Sequence, residues 1–213
     1  MTRKTSSLIW RKLLIEGNKI VTSNRVREIA DELGKDYPRA LSYLLEHRYL
    51  IRVFRGVFYV NDRKERESSS FERSIYEIVG DALTAKSVKH WYLGLETALK
   101  INGLTHEYFA VNFVITDSYR TTKVIEIAGI RFKFLKWRRE HFTFGMERKY
   151  NLVFSDREKT IVDLIYKRYL DTKDEKYAVS PLIEYKDRID SHKIAGYLEN
   201  YPMRLREIVR RAL

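Results

Sequence analysis

Apolar side chains recur along this chain in two rhythms, and the order in which the rhythms alternate predicts the elements. Ile9, Trp10, Leu13 and Leu14 fall on one side of a helix that Ser7 can cap and Gly17 can end. In "SNRVREIADELG", Val26, Ile29, Ala30 and Leu33 stand at the i, i+3, i+4, i+7 spacing of one helical face, with Gly34 as the stop. After the turn "GKD", Pro38 suits a first helical position, where its missing N–H costs nothing, and it holds Tyr37 extended. At 100° per residue, Leu41, Leu44 and Leu45 gather on one side of this third helix, and Arg39, Ser42, Tyr43 and Glu46 on the other. The period then drops to two. "LIRVFRGVFYV", residues 50–60, reads as a hairpin in which Leu50 and Arg52 alternate with Ile51 and Val53, and Gly56 permits the positive φ of the turn.

Beyond residue 70 the rhythms alternate again. "FERSIYEIVGDAL" predicts a helix burying Ile75, Ile78, Val79 and Leu83, and "HWYLGLETALKINGL" another, stopped near Gly103. "EYFAVNFVIT" predicts a strand with Val111, Phe113 and Ile115 on one face. "TKVIEIAGIRFKFLKW" predicts two strands about Gly129, with Arg131 and Lys133 opposite Phe132 and Phe134. "YNLVFSDREKTIVDLIYKRYL" runs from a strand into a helix that Ser155 and Glu158 would open as a capping box. Amphipathic helical segments, including "MRLREIVRRAL", complete the chain.

Composition changes this picture in one respect. With 213 residues, 44% of them hydrophobic, the chain can bury a real core as one large domain or two small ones. Its 41 Lys+Arg against 29 Asp+Glu give a formal +12, a field that draws polyanions. Residues 61–70, "NDRKERESSS", hold no apolar residue and are expected to be a linker. The first 66 residues carry 15 Lys+Arg and 8 Asp+Glu, so the positive charge is concentrated there. No apolar run approaches the ~18 residues of a spanning helix, and Arg11 and Lys12 interrupt the apolar stretch of the amino terminus; a cytoplasmic protein with no membrane partner is expected. The absence of cysteine excludes disulfides, a thiol nucleophile and cysteine-ligated metal.

Helix, helix, tight turn, helix and basic hairpin, in that order, make a winged helix-turn-helix. The expected fold class is therefore α+β: an N-terminal winged helix-turn-helix DNA-binding domain at 1–66, and a C-terminal domain at 67–213 in which helices pack on an antiparallel sheet. The partner is double-stranded DNA. Lys35, Arg39, Ser42 and Tyr43 would meet the major groove, and Arg52 and Arg55 of the hairpin the flanking phosphates or the minor groove. Against this stands the reading of Arg39, Ser42 and Tyr43 as a solvated helix face; the ordered set and the excess charge favour DNA. Phe54 and Phe58 are packing residues that hold the hairpin to the helices.

Chemistry finds little support. His47, His90, His106, His141 and His192 show no metal-ligand spacing, and neither a Gly-rich phosphate loop nor a G-x-S-x-G elbow occurs. Asp156, Glu158 and Asp163 are the most tempting carboxylates, but helix capping explains the first two. The expectation is a non-enzyme with no catalytic residues, no metal and no cofactor. The alternative is a nuclease or nucleotidyltransferase aimed by the winged helix, with Asp163 among its ligands for Mg²⁺.

The order of five segments resembles the AbiEi-type antitoxins, autoregulatory winged-helix partners in type IV toxin–antitoxin systems. They are "RVFRGVFYV", "SVKHWYLGLETALKINGL", the sheet segment "FAVNFVITDSYRT" with "VIEIAGIRFKF", "FG" at 144–145, and "LVFSDREKTIVDLI". The resemblance covers roughly residues 7–170; where the family has a small residue after the recognition helix, this chain has Arg48 and Tyr49. It implies a protein that represses its own operator through the amino-terminal domain. The second domain would antagonise a nucleotidyltransferase-like toxin.

Overall fold

The computed structural model describes residues 3–149 and 151–213, with side chains from Ser7 onward. It is a mixed α+β protein in two compact units. The first runs to Lys89 and takes in Ile127–Gly129; the second comprises His90–Glu126 and Ile130–Leu213.

The first unit opens with α1 (Arg3–Glu16), β1 (Ile20–Thr22), α2 (Ser23–Glu32) and α3 (Tyr37–Glu46), followed by β2 (Leu50–Phe54) and β3 (Val57–Val60). Ser7 lies inside α1 and not at its start. Thr22 caps α2, and Asp36 caps α3 by accepting from the Arg39 N–H at 3.1 Å, so Tyr37 begins the helix that Pro38 was expected to open. The antiparallel sheet runs β1–β3–β2, with Ile20 opposite Tyr59 and Leu50 opposite Val60. One face packs Val21, Leu50, Phe58 and Val60 onto Ile9 and Leu13 of α1, Val26 and Ile29 of α2, and Leu44 of α3.

The sequence gives β3 no polar face, because it is covered twice. All four residues Val57–Val60 are buried, each worth about 1.5–3 kcal/mol of apolar burial. The second cover comes from segments beyond the hairpin. The expected linker contains a helix, α4 (Arg63–Ser68), opened by a capping box of Asp62 and Glu65. The Arg66 guanidinium lies 3.8 Å from the Tyr49 ring centroid. Next, α5 (Ile75–Ala85), capped by Ser74 and Glu77, packs across β1, β2 and β3. The compact unit therefore extends to Lys89, well past residue 66.

Beneath this cover the Glu65 carboxylate is wholly buried, and it accepts from the Tyr59 hydroxyl, from the Asp62 N–H at 3.0 Å, from the Glu72 N–H at 3.2 Å and from Lys19 Nζ at 2.9 Å. Burial pushes its pKa up, and these donors outweigh burial and leave it below the usual carboxylate value. A charged side chain inside a supposed linker is thus a structural keystone of the first unit.

The second unit contains β4 (Trp91–Leu93), α6 (Leu95–Ile101), β5 (Asn112–Thr116), β6 (Ile125–Ile127, whose last residue is counted with the first unit), β7 (Ile130–Lys136), β8 (Met146–Lys149), β9 (Leu152–Ser155), α7 (Arg157–Thr172), α8 (Glu175–Glu184), α9 (Ser191–Tyr197) and α10 (Met203–Arg210). The expected helix over 90–104 begins as a strand. Tyr92 and Leu93 are buried on opposite faces of a central strand, and Gly94 starts the helix only after it. The six strands run β6–β7–β5–β4–β9–β8.

The expectation of an antiparallel sheet is corrected here. β5 pairs with β7 in parallel, Val114 opposite Phe134, and β4 pairs with β9 in parallel, Leu93 opposite Phe154; β4–β5 and β8–β9 are antiparallel. The physical sign of this was Val114, Ile115 and Thr116, three consecutive buried residues in a strand read as one-faced. The capping box is corrected too. Asp156 caps α7, accepting from the Lys159 N–H at 2.8 Å, while Ser155 bonds Thr160 and Glu158 accepts from the Asp190 N–H at 3.1 Å. Residues 158–165 of α7 are buried without interruption, as befits a helix packed against α6, α8, α9 and β9.

Candidate nucleic-acid interface

Helical geometry presents Arg39 and Ser42 on the open face of α3, because Ala40 and Leu44 are drawn into the core. The Arg39 side chain is 92% exposed and its Nε stands 3.9 Å from Asp36, a loose surface pair that leaves the guanidinium available. Ser42 is exposed one turn on. Tyr43 is half-buried on the flank of the helix, its ring 4.3 Å from His47 edge-on and 5.9 Å from Tyr49 in a stacked arrangement. Lys35 is half-buried in the turn before α3, and its backbone N–H closes α2 by donating to Ala30 at 2.8 Å.

The hairpin contributes Arg52 and Arg55. Both are exposed. Arg52 projects from the edge strand β2 with its guanidinium 5.8 Å from the Phe58 ring, and Arg55 sits at the tip beside Gly56, whose φ is +79°. The tip is anchored: the Ser23 N–H donates to the Gly56 carbonyl at 2.9 Å, which ties the turn to the first residue of α2. Among the described residues no carboxylate lies within ion-pair distance of Lys35, Arg52 or Arg55. Arg39, Ser42 and Tyr43 therefore share one helix, whereas Arg52 and Arg55 belong to the sheet and are positioned separately.

The sequence reading missed Arg27. This exposed residue of α2 lays its guanidinium 4.8 Å from the Tyr37 ring, at the first turn of α3. Nothing in the spacing of residues 27 and 37 announces the contact. Only the packing of α2 against α3 makes it.

The carboxylates set apart as possible catalysts have other occupations. Asp163 is fully buried; its oxygens accept from the Tyr92 hydroxyl at 2.9 Å, from the Tyr201 hydroxyl and from Lys159 Nζ at 3.3 Å. Burial pushes the Asp163 pKa up and the Lys159 pKa down, as it does for any charge removed from water. Gly145 is required beside this pair: a Cβ there would meet Lys159 Cβ at 2.8 Å. Asp156 accepts from the Tyr197 hydroxyl at 2.6 Å and pairs with Lys193 at 3.0 Å. Among the described residues no group of three or more His, Asp or Glu is placed to hold a metal ion, and no helix is long and apolar enough to cross a membrane.

No family model matches the chain, and no curated protein matches it.

Proposed function

We propose that the protein is a sequence-specific DNA-binding transcriptional regulator whose first unit is a winged helix-turn-helix. The observation that carries this reading is topological. Elements in the order α1–β1–α2–α3–β2–β3, with strands ordered β1–β3–β2, match the order expected of a winged helix-turn-helix, and on this reading the second helix of the turn pair enters the major groove while the hairpin lies alongside. The open face of α3 with Arg39 and Ser42, and the arginine at the anchored tip, support it. Arg39, Ser42 and Tyr43 then contact base edges, and Lys35, Arg52 and Arg55 hold the backbone.

The likeness of its segments to AbiEi-type antitoxins extends the proposal. The protein represses its own operator and neutralises a nucleotidyltransferase-like toxin. The proposal includes no catalysis; the engagement of Asp163, the carboxylate of the enzyme alternative, by three protein donors supports that choice.

Footprinting on the DNA upstream of its own coding sequence tests the reading. Arg39→Ala or Tyr43→Ala is expected to lose about 1–3 kcal/mol at the protected site and to relax its sequence. Arg55→Ala is expected to weaken binding to every sequence alike. Equal losses on protected and random DNA for all three variants would remove the role assigned to α3. The antitoxin role fails separately if the protein retains no nucleotidyltransferase-like partner in a pull-down from its own host.

A further inference from the structure

The end of α3, the edge strand β2, α4 and residues 69–71 enclose a cleft of about 260 Å³ in the first unit. Three arginines line it: Arg48 just after α3, Arg52 on β2 and Arg66 on α4. Among the described residues none of the three guanidiniums has a hydrogen bond or an ion pair. Arg66 lies over the Tyr49 ring at 3.8 Å and Arg52 beside the Phe58 ring at 5.8 Å. A ring contact uses the flat face of a guanidinium and leaves its in-plane N–H groups to donate. Arg48 is fixed at its backbone, its N–H donating to the Leu45 carbonyl at 3.1 Å and its carbonyl accepting from the Asn61 amide at 3.1 Å, while its side chain is exposed.

No acid of the wall answers this charge. Glu65 is the one carboxylate lining the cleft; its side chain is wholly buried and both oxygens are taken. Oε1 accepts from the Tyr59 hydroxyl and the Glu72 N–H, and Oε2 from Lys19 Nζ and the Asp62 N–H. Lys19 already balances its charge. Three cations therefore share one cleft with no anion left for them, and their mutual repulsion is relieved when one enters. Ser69, exposed at the end of α4 with its hydroxyl unbonded among the described residues, adds a neutral donor.

We infer that this cleft binds a phosphate dianion, either free or as the terminal group of a small ester. A terminal phosphate brings three free oxygens and two charges to the three guanidiniums, whereas a backbone phosphodiester brings two oxygens and one charge. Leu45, Ile51 and Phe71 form an apolar wall for the remainder of an ester. The site goes beyond the DNA-binding reading, in which Arg48 and Arg66 have no part. Arg52 is common to both, so the site is tested without DNA and its failure leaves the footprinting result untouched.

The test is isothermal calorimetry of the full-length protein at low salt and about pH 8, where a phosphate monoester is a dianion. The probes are inorganic phosphate, adenosine monophosphate, adenosine and a diadenosine phosphodiester. Saturable binding of inorganic phosphate or the monophosphate is expected at about 1 mM or tighter, weakened about tenfold or more in Arg48→Ala and in Arg52→Ala. Both side chains are exposed, so the variants retain the fold. Tighter binding of the monophosphate than of inorganic phosphate identifies an ester as the ligand, and the reverse identifies the free anion. The site is overturned if neither saturates by about 10 mM, or if either variant binds as the parent does. Adenosine or the phosphodiester binding as tightly as the monophosphate overturns the dianion.

Discussion

The arginines of α3 and the hairpin in the first unit and those of the carboxy-terminal helix face opposite fates. Arg39, Arg52 and Arg55 reach into solvent, and of these three only Arg39 has even a distant carboxylate, whereas Arg25, Arg63 and Arg73 of the same unit are paired with acids. Around α10 the sequence "RLREIVRR" is at least as basic, but its charge is spent internally. Arg204 pairs with Glu175 and Glu207, Arg206 and Arg210 with Glu199, and Arg211 with Glu175. A count of basic residues would rate the two regions alike. What distinguishes them is whether a duplex phosphate would find a free guanidinium or displace an existing carboxylate, and only the first case yields net attraction.

The largest expected effect tests the internal extreme of this contrast, the wholly buried pair of Lys159 and Asp163. Lys159→Met leaves a carboxylate without its cation in the core and should cost about 3–5 kcal/mol in chemical unfolding of the second unit, followed through Trp91 and Trp137. A loss below 1 kcal/mol would mean that the tyrosine hydroxyls alone satisfy Asp163.

Acid should act next, on the first unit. Glu65 has a folded pKa below its unfolded value of 4.5, so its contribution is present above pH 4.5 and lost as pH falls through the folded value. Hydrogen bonds to a buried charge are worth about 1.5–3 kcal/mol. Glu65→Gln should lower the unfolding midpoint near neutral pH and flatten its decline as the pH falls below the unfolded value of 4.5. An unchanged acid profile would show that other carboxylates govern it.

The contrast in availability is sharpened by pairing variants. Arg39→Ala should cost about 1–3 kcal/mol of DNA affinity. Arg55→Ala should reduce the slope of log K against log salt by about one, and Arg210→Ala should change neither. DNA affinity lost equally in Arg210→Ala would dissolve the distinction between the two basic regions.

The smallest effect lies at Arg48, which follows α3 with φ +56°, a left-handed conformation stabilised by the Tyr49 N–H donating to Leu44 at 2.9 Å. Arg48→Gly should raise stability by about 1 kcal/mol, read as a higher Tm. A drop in Tm would mean that the arginine side chain supports the unit by packing.

How much could be read beforehand differed between the regions for a physical reason. The amphipathic helices of the first unit were legible because Val26, Ile29 and Ala30, and Leu44 with Leu41 and Leu45, answer a single core on one side. The strand pairs about Gly56 and Gly129 were legible from period-two alternation and a left-handed turn position. Candidate residues Arg39, Ser42, Arg52 and Arg55 could be named because exposure on a helix face or hairpin tip follows from that periodicity. Arg27 could not, since its contact with Tyr37 joins two helices.

The sequence by itself determined where most elements lie, which faces they bury and where the excess positive charge resides, because these depend on neighbours within a few residues. Tertiary structure alone decided the parallel pairings of β5 with β7 and of β4 with β9, the folding of 61–70 into the first unit around Glu65, and the pairing of the α10 arginines with distant acids. Each of these is a contact between segments far apart in the chain, and a local pattern records that a residue is buried or charged without recording its partner.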